Sequence, residues 1–151
     1  MPQSLSSVLV HIIFSTKERR PFLSDRETRL RLHQQLGGTS NALDCQSLIV
    51  GGVADHIHLL GVQARTITLA DWIKELKRAT SHWIKEEYPE QRAFSWQAGY
   101  GAFSVSQSQV ASVRKYIHDQ EEHHKKVDFV SEFKQFLERH QVPYDERYVW
   151  D

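Results

Sequence analysis

Ser47-Leu48-Ile49-Val50-Gly51-Gly52-Val53-Ala54-Asp55-His56-Ile57-His58-Leu59-Leu60-Gly61-Val62 reads as two apolar runs joined by a two-residue turn. Ser47 to Val53 and Ile57 to Val62 predict paired strands, with Ala54-Asp55 reversing the chain between them. In a strand, residues two apart share a face and the one between them faces the other way. His56 and His58 therefore project side by side and Ile57 enters the core. Two imidazole nitrogens held by one rigid backbone are half of a site for a divalent metal.

Working outward, Val8 to Thr16 is a β-branched and aromatic run that predicts a buried strand. It ends in Lys17-Glu18-Arg19-Arg20-Pro21. Ser24 followed by Glu27 has the spacing of a capping box, and Leu30, Leu32 and Leu36 continue a helix that is expected to stop at Gly37-Gly38. After the hairpin, Leu69, Trp72, Ile73, Leu76, Trp83 and Ile84 recur at three- and four-residue steps, a long amphipathic helix up to about Pro89. Phe94 to Trp96 and Ala102 to Val105 predict short strands flanking Gly99-Tyr100-Gly101. Ser106 with Gln109 is a second capping-box pair, opening a helix through Val110, Val113 and Ile117 to about His124. A last helix is expected over Phe129 to His140, before the aromatic tail Tyr144 to Trp150.

The order strand, helix, strand, strand, helix, strand is the split βαβ pattern of ferredoxin-like α+β domains. The expectation is an antiparallel sheet with helices on one face, plus C-terminal helices that carry Tyr116. The 151 residues fit one domain, and no repeat, linker or low-complexity stretch divides them. Nineteen basic and nineteen acidic side chains cancel, which excludes a polyelectrolyte that coats nucleic acid by bulk charge. Cys45 has no partner for a disulfide and reads as a buried core residue. The chain opens on Met1-Pro2-Gln3-Ser4-Leu5, without the signature of a signal peptide, and no apolar run approaches the roughly 20 residues of a membrane span. A soluble protein of the cytoplasm is expected.

Tyr116 and Gln120 stand four apart on the predicted helix, at the rim of the stripe made by Val110, Val113 and Ile117. From there a phenol and an amide can reach across to another surface. A phenol of pKa near 10 is ionised to only about one part in a thousand at neutral pH, so a tyrosine nucleophile needs help. A metal on His56 and His58 supplies it as a Lewis acid, and the amide oxygen of Gln120 offers a third ligand. His11, inside the first strand, suits a satisfied sheet histidine better than a partner to the ligands. His124 ranks below Gln120 as a ligand.

Asp55-His56-Ile57-His58-Leu59-Leu60 resembles the His-hydrophobic-His signature of the HUH endonucleases. Tyr116-Ile117-His118-Asp119-Gln120 resembles the Tyr-x-x-x-Gln helix of their single-tyrosine transposases, including the REP-associated relatives. Lys17 to Pro21, Leu76 to Ser81, Trp96 to Ser106, Glu121 to His124 and Tyr144 to Tyr148 extend the resemblance over nearly the whole chain. It implies a transposase that acts on single-stranded insertion-sequence ends bearing hairpins, with magnesium or manganese as cofactor. It implies that Tyr116 attacks a DNA phosphate, giving a 5′-phosphotyrosine link and a free 3′-hydroxyl that later reseals the strand. It implies a homodimer in which the tyrosine helix of one chain completes the histidine site of the other, or an inactive arrangement with that helix away from the metal.

Lys17, Arg19, Arg20, Lys74, Lys77, Arg78, Arg114 and Lys115 are the candidates for phosphate contacts. Trp96, Tyr100 and Phe103 suit base stacking or core packing, and packing is expected for two of the three. Three other readings stand beside this one. They are a domesticated relative that processes chromosomal repeat hairpins, a non-catalytic module that binds single-stranded nucleic acid, and a zinc hydrolase built on His56, His58 and a third ligand.

Overall fold

The computed structural model describes residues 2–151. Strand β1 (Leu9–Ser15) leads through a tight turn, Lys17–Arg19, with Glu18 and Arg19 in the left-handed region, to helix α1 (Arg26–Ala42). Strands β2 (Ser47–Val53) and β3 (His56–Val62) form the hairpin, and helix α2 (Leu69–Glu87) leads on to β4 (Gly101–Val105). Helices α3 (Val110–His118), α4 (Gln120–His123) and α5 (Phe129–Arg139) follow. The strands lie in the order β2-β3-β1-β4, and every neighbouring pair is antiparallel. Both β1-α1-β2 and β3-α2-β4 are thus split βαβ units, each with a strand of the other unit between its own two, compatible with a ferredoxin-like arrangement.

Strand alternation gives the sheet two faces of different composition. Val10, Ile12, Phe14, Ile57 and Leu59 point toward α1 and α2, where Leu32, Leu36, Trp72, Ile73, Leu76 and Ile84 close a core with Phe94 and Trp96. Burying each such large apolar side chain stabilises the fold by roughly 1.5–3 kcal/mol. The two buried indoles are satisfied: Trp72 Nε1 donates to Ser40 Oγ at 3.0 Å and Trp96 Nε1 to Thr80 Oγ1 at 3.1 Å. The opposite face carries its own layer, in which Ile13 and Phe103 of the sheet pack on Phe129, Phe133 and Leu137 of α5. The sheet is covered on both sides, and the second cover is the C-terminal helical segment that bears Tyr116.

Several local expectations are corrected. α1 is capped by Asp25, whose carboxylate accepts from the Thr28 N–H, whereas the Ser24 hydroxyl turns back to the Pro21 carbonyl at 2.7 Å. The helix runs through Gly37-Gly38 to Ala42, because interior glycines lower helix stability by only about 1 kcal/mol each and tertiary packing outweighs that. The chain leaves the helix at Asp44, in the left-handed region with φ 62°. Ser106 bonds to Ser108 instead of capping, and a single turn, Gln107–Gln109, precedes α3. Phe94 to Trp96 form no strand; Trp96 alone bridges to Thr16.

Candidate active site

Strand β3 delivers His56 and His58 to the α3–α5 face, fully buried, with ring centroids 5.1 Å apart. Each ring is oriented from behind. His56 Nδ1 lies 2.7 Å from Asp55 Oδ1, and His58 Nδ1 lies 2.8 Å from His11 Nε2 on the adjacent strand. Engaging Nδ1 in this way turns each Nε2 inward, the tautomer a metal ligand requires. His11 is therefore more than a satisfied sheet histidine, because it fixes the ring of His58.

The helices bring the phenol and the amide to the same place. α3 stops at His118, and the break at Asp119 (φ −91°, ψ 17°) restarts the chain as α4 at Gln120. The predicted continuous helix to His124 is thus kinked, and the kink swings Gln120 into the interior. There its Oε1 sits 3.3 Å from His56 Nε2 and its amide nitrogen 3.3 Å from the Tyr116 carbonyl. α3 lies close on the sheet because Gly51 has no side chain. A Cβ at Gly51 would fall 2.5 Å from the Ile117 carbonyl oxygen. The half-buried Tyr116 ring centres 5.8 Å from His58.

At the middle is a residue with no predicted chemical role, Glu132 of α5. Its Oε1 lies 3.1 Å from His58 Nε2 and 3.3 Å from His56 Nε2. Its Oε2 accepts from the Tyr116 hydroxyl and lies 3.3 Å from the Gln120 amide nitrogen and 3.2 Å from His124 Nε2. The signal for it was present in the sequence. Glu132 falls among Phe129, Phe133, Phe136 and Leu137 on the apolar stripe of α5, and a charge there must find partners.

The electrostatics follow from this crowding. Burial opposes charge on Glu132, but the imidazoles of His124, His56 and His58 outweigh it and hold the carboxyl well below its ordinary range. Burial likewise opposes charge on His56, yet the Asp55 and Glu132 carboxylates raise its pKa to about 9. His58 is lowered to about 4, first by burial. Burial and then the Glu132 charge push the Tyr116 phenol upward, so in this arrangement the hydroxyl keeps its proton.

The basic candidates do not form one patch. Lys74 and Arg78 lie on α2, behind the sheet, whereas Arg114 and Lys115 are exposed on the tyrosine helix. Lys115 pairs with Asp119, Arg78 with Glu75 and Arg20 with Glu18. Arg19 stacks over Trp150, and Lys17 is exposed beside it. Lys77 is committed to the chain itself, donating to the carbonyls of Gln97, Ala98 and Gly99. Trp96 and Phe103 are packed and Tyr100 is exposed.

The residues present fit a divalent cation. Nε2 of His124 is buried with no hydrogen-bond partner, and it points at the same carboxylate that the strand imidazoles face. His56, His58, His124 and Glu132 each offer one donor atom, all within 4.8 Å of one another.

A helical phenol and two strand imidazoles meeting on one face of a four-stranded antiparallel sheet define a tyrosine-and-two-histidine α+β protein. A family model described as "Transposase IS200 like" matches residues 4–120, and the chain belongs to that family. Two solved structures share the fold. A candidate transposase from Deinococcus radiodurans R1 is 22% identical over 80% of this chain and 95% of its own, with a TM-score of 0.65. A REP-associated tyrosine transposase bound to a REP hairpin is 12% identical over 84% of this chain and 74% of its own, with a TM-score of 0.60. No curated protein matches the sequence. The family match ends on Gln120, so α5 and Glu132 lie beyond it. Among the described residues, no helix is long and apolar enough to cross a membrane.

Proposed function

We infer that this transposase cuts and rejoins single-stranded DNA at hairpin-bearing element ends, with Tyr116 as nucleophile and a divalent ion held by His56, His58 and Gln120. The observation that carries this reading is the convergence of the Tyr116 phenol, both strand imidazoles and the Gln120 amide on one buried point. When bound, the cation would supply Lewis-acid stabilisation of the charge that develops on phosphate during in-line attack.

The chain's own residues do the rest. α3 holds the phenol at the site, and Gly51 lets that helix lie close enough for the purpose. Glu132 Oε2 accepts from the phenol and orients it, and His123 Nε2, 3.3 Å from the same hydroxyl, is the acceptor for its proton as the new ester bond forms. As the Tyr116 oxygen bonds to phosphorus, the bond from phosphorus to the 3′ oxygen breaks, and that oxygen takes up a proton to leave as a free hydroxyl. The phosphotyrosine conserves the energy of the broken bond, so resealing needs no nucleotide cofactor. Arg114 and Lys115, on the helix of the nucleophile, are the basic residues best placed to position the strand. The REP hairpin held by the structural neighbour supports a hairpin substrate.

Single-stranded hairpin oligonucleotides with magnesium or manganese test this reading, by denaturing electrophoresis and mass spectrometry of the linked residue. The expected result is a covalent adduct at Tyr116, absent from Tyr116→Phe while oligonucleotide binding persists. Because the residues meet within one chain, mixing Tyr116→Phe with His58→Ala is expected to restore no adduct. Recovery on mixing would establish instead a homodimer with shared sites. Uncut oligonucleotides under every divalent ion would remove the reading.

A further inference from the structure

Beyond the family match, the end of α4 and the helix α5 bring two more donors to the strand imidazoles, so that one donor atom from each of the four residues lies within 4.8 Å of the others. Glu132 Oε1 lies 3.1 Å from His58 Nε2 and 3.3 Å from His56 Nε2, and its other oxygen, Oε2, lies 3.2 Å from His124 Nε2. A tetrahedral centre with bonds of about 2.0–2.1 Å sets its ligand atoms roughly 3.3 Å apart. Hydrogen bonding accounts for this cluster incompletely, because His124, with its side chain 8% exposed, brings Nε2 to 3.2 Å from Glu132 Oε2 without the alignment of a hydrogen bond. Among the described residues, no lysine or arginine pairs with the Glu132 carboxylate either; its partners are imidazoles, the Gln120 amide and the Tyr116 phenol.

We propose that Glu132 and His124 complete the metal centre begun by His56 and His58, making a three-imidazole, one-carboxylate site that takes a first-row transition ion such as cobalt or zinc in preference to magnesium. This rests on the reading that a divalent ion serves the Tyr116 centre, and it adds to that reading's ligands, ranks Gln120 behind the added ones and narrows the ion class. Magnesium demands oxygen ligands and gives up its waters reluctantly, whereas imidazole suits the later first-row ions. Asp55 and His11 act as the outer partners that such ligands need. Gln120 then ranks below Glu132, because a neutral amide oxygen is a weaker ligand than a carboxylate and part of its bonding goes to Glu132 itself.

The test is metal binding by the full chain without DNA. Protein freed of metal by a chelator is titrated separately with magnesium, manganese, cobalt and zinc chlorides, following the thermal midpoint and the visible absorption of cobalt. The midpoint is expected to rise least with magnesium, more with manganese and most with cobalt and zinc, because an ion that binds only the folded chain stabilises it by mass action. Cobalt should develop the intense visible bands of a four-coordinate ion.

Glu132→Gln and His124→Ala should each weaken cobalt binding by at least the roughly 10–100-fold that loss of an outer partner costs, and Gln120→Ala by less. Magnesium matching cobalt, or Glu132→Gln binding cobalt like the parent, would overturn the proposal. Should Glu132→Gln fail to fold, His124→Ala decides, since its Nε2 has no hydrogen bond to lose. The outcomes separate cleanly from those of the cleavage assay. A chain that binds cobalt through Glu132 yet forms no phosphotyrosine sinks only the transposase mechanism, and one that forms the adduct while Glu132→Gln keeps its affinity sinks only this ligand set.

Discussion

Along β1, Ile12 and Phe14 face α1 and α2 among aliphatic and aromatic side chains; their neighbours His11 and Ile13 face the other way, toward Tyr116 and α5. β3 repeats the division, with Ile57 and Leu59 on one side and His56 and His58 on the other. The same two strands thus build an apolar layer and a polar one, a single residue out of step. The α1/α2 face is stabilised by area removed from water and tolerates exchange of one apolar shape for another. The α3–α5 face depends on which atom meets which, because each buried polar group there must find its partner. Stability and chemistry are therefore expected to separate by strand position.

The sharpest separation is between Ile12→Ala and Tyr116→Phe. Ile12 is fully buried between the sheet and both core helices, and its truncation is expected to cost about 2–5 kcal/mol through lost transfer energy and the cavity left behind. Urea denaturation should show a lower midpoint with an unchanged slope, while folded Ile12→Ala protein still forms the DNA adduct. Tyr116→Phe should move the midpoint little and abolish the adduct. An Ile12→Ala protein that folds but no longer cuts would mean the two layers are coupled through β1 and not merely adjacent.

A change of pH acts mainly on the polar face and comes next in size. An unfolded imidazole titrates near 6.5. Burial holds His58 and, on α1, His33 at about 4 in the fold, so below pH 6.5 the unfolded chain binds protons that the folded chain refuses. Their contribution is lost as pH falls from 6.5 toward 4. His56 has the opposite sign: its pKa of about 9 means that the folded chain keeps a proton the unfolded chain releases, and stability declines as pH rises above 6.5. Metal-free protein should be most stable near pH 6.5 in a thermal scan from pH 4 to 8. Beyond that, Lys77, lowered to about 8 by burial, contributes in the opposite direction. Glu132→Gln should flatten the alkaline limb, because a charged partner of His56 is gone, whereas Ile12→Ala should lower the whole curve in parallel. A curve whose alkaline limb survives in Glu132→Gln would assign the proton on His56 to Asp55 alone.

The two faces also differ in how far they were legible. The apolar layer follows from periodicity, and so do the succession of main strands and helices along the chain and the pairing of His56 with His58, because alternation and three-four spacing are properties of neighbouring residues. Tyr116 and Gln120 were legible as a pair four apart, although the kink at Asp119 that turns Gln120 inward was not. Glu132 escaped because nothing within α5 says what the helix will cover. Its position on an apolar stripe shows that it needs partners, but those partners come from β3 and α4, 74 and 12 residues away at His58 and Gln120. Contacts of that kind are set by the docking of whole elements and have no local spacing to betray them.

The smallest effect probes a local rule where two readings competed. Ser24 and Glu27 have the spacing of a capping box, yet it is Asp25 whose carboxylate accepts from both the N–H and the hydroxyl of Thr28, at 2.9 and 2.8 Å. One residue decides where the first turn of α1 begins, and α1 carries Leu32 and Leu36 into the apolar layer. Asp25→Ala is expected to cost about 1 kcal/mol, the usual worth of an N-cap, and to leave the DNA adduct intact. Ser24→Ala removes only an exposed bond to the Pro21 carbonyl and should fall within about 0.5 kcal/mol of the parent. Chemical denaturation of the two variants side by side measures the difference. Equal losses would mean that the capping-box pair operates in solution after all and that the helix starts one residue earlier.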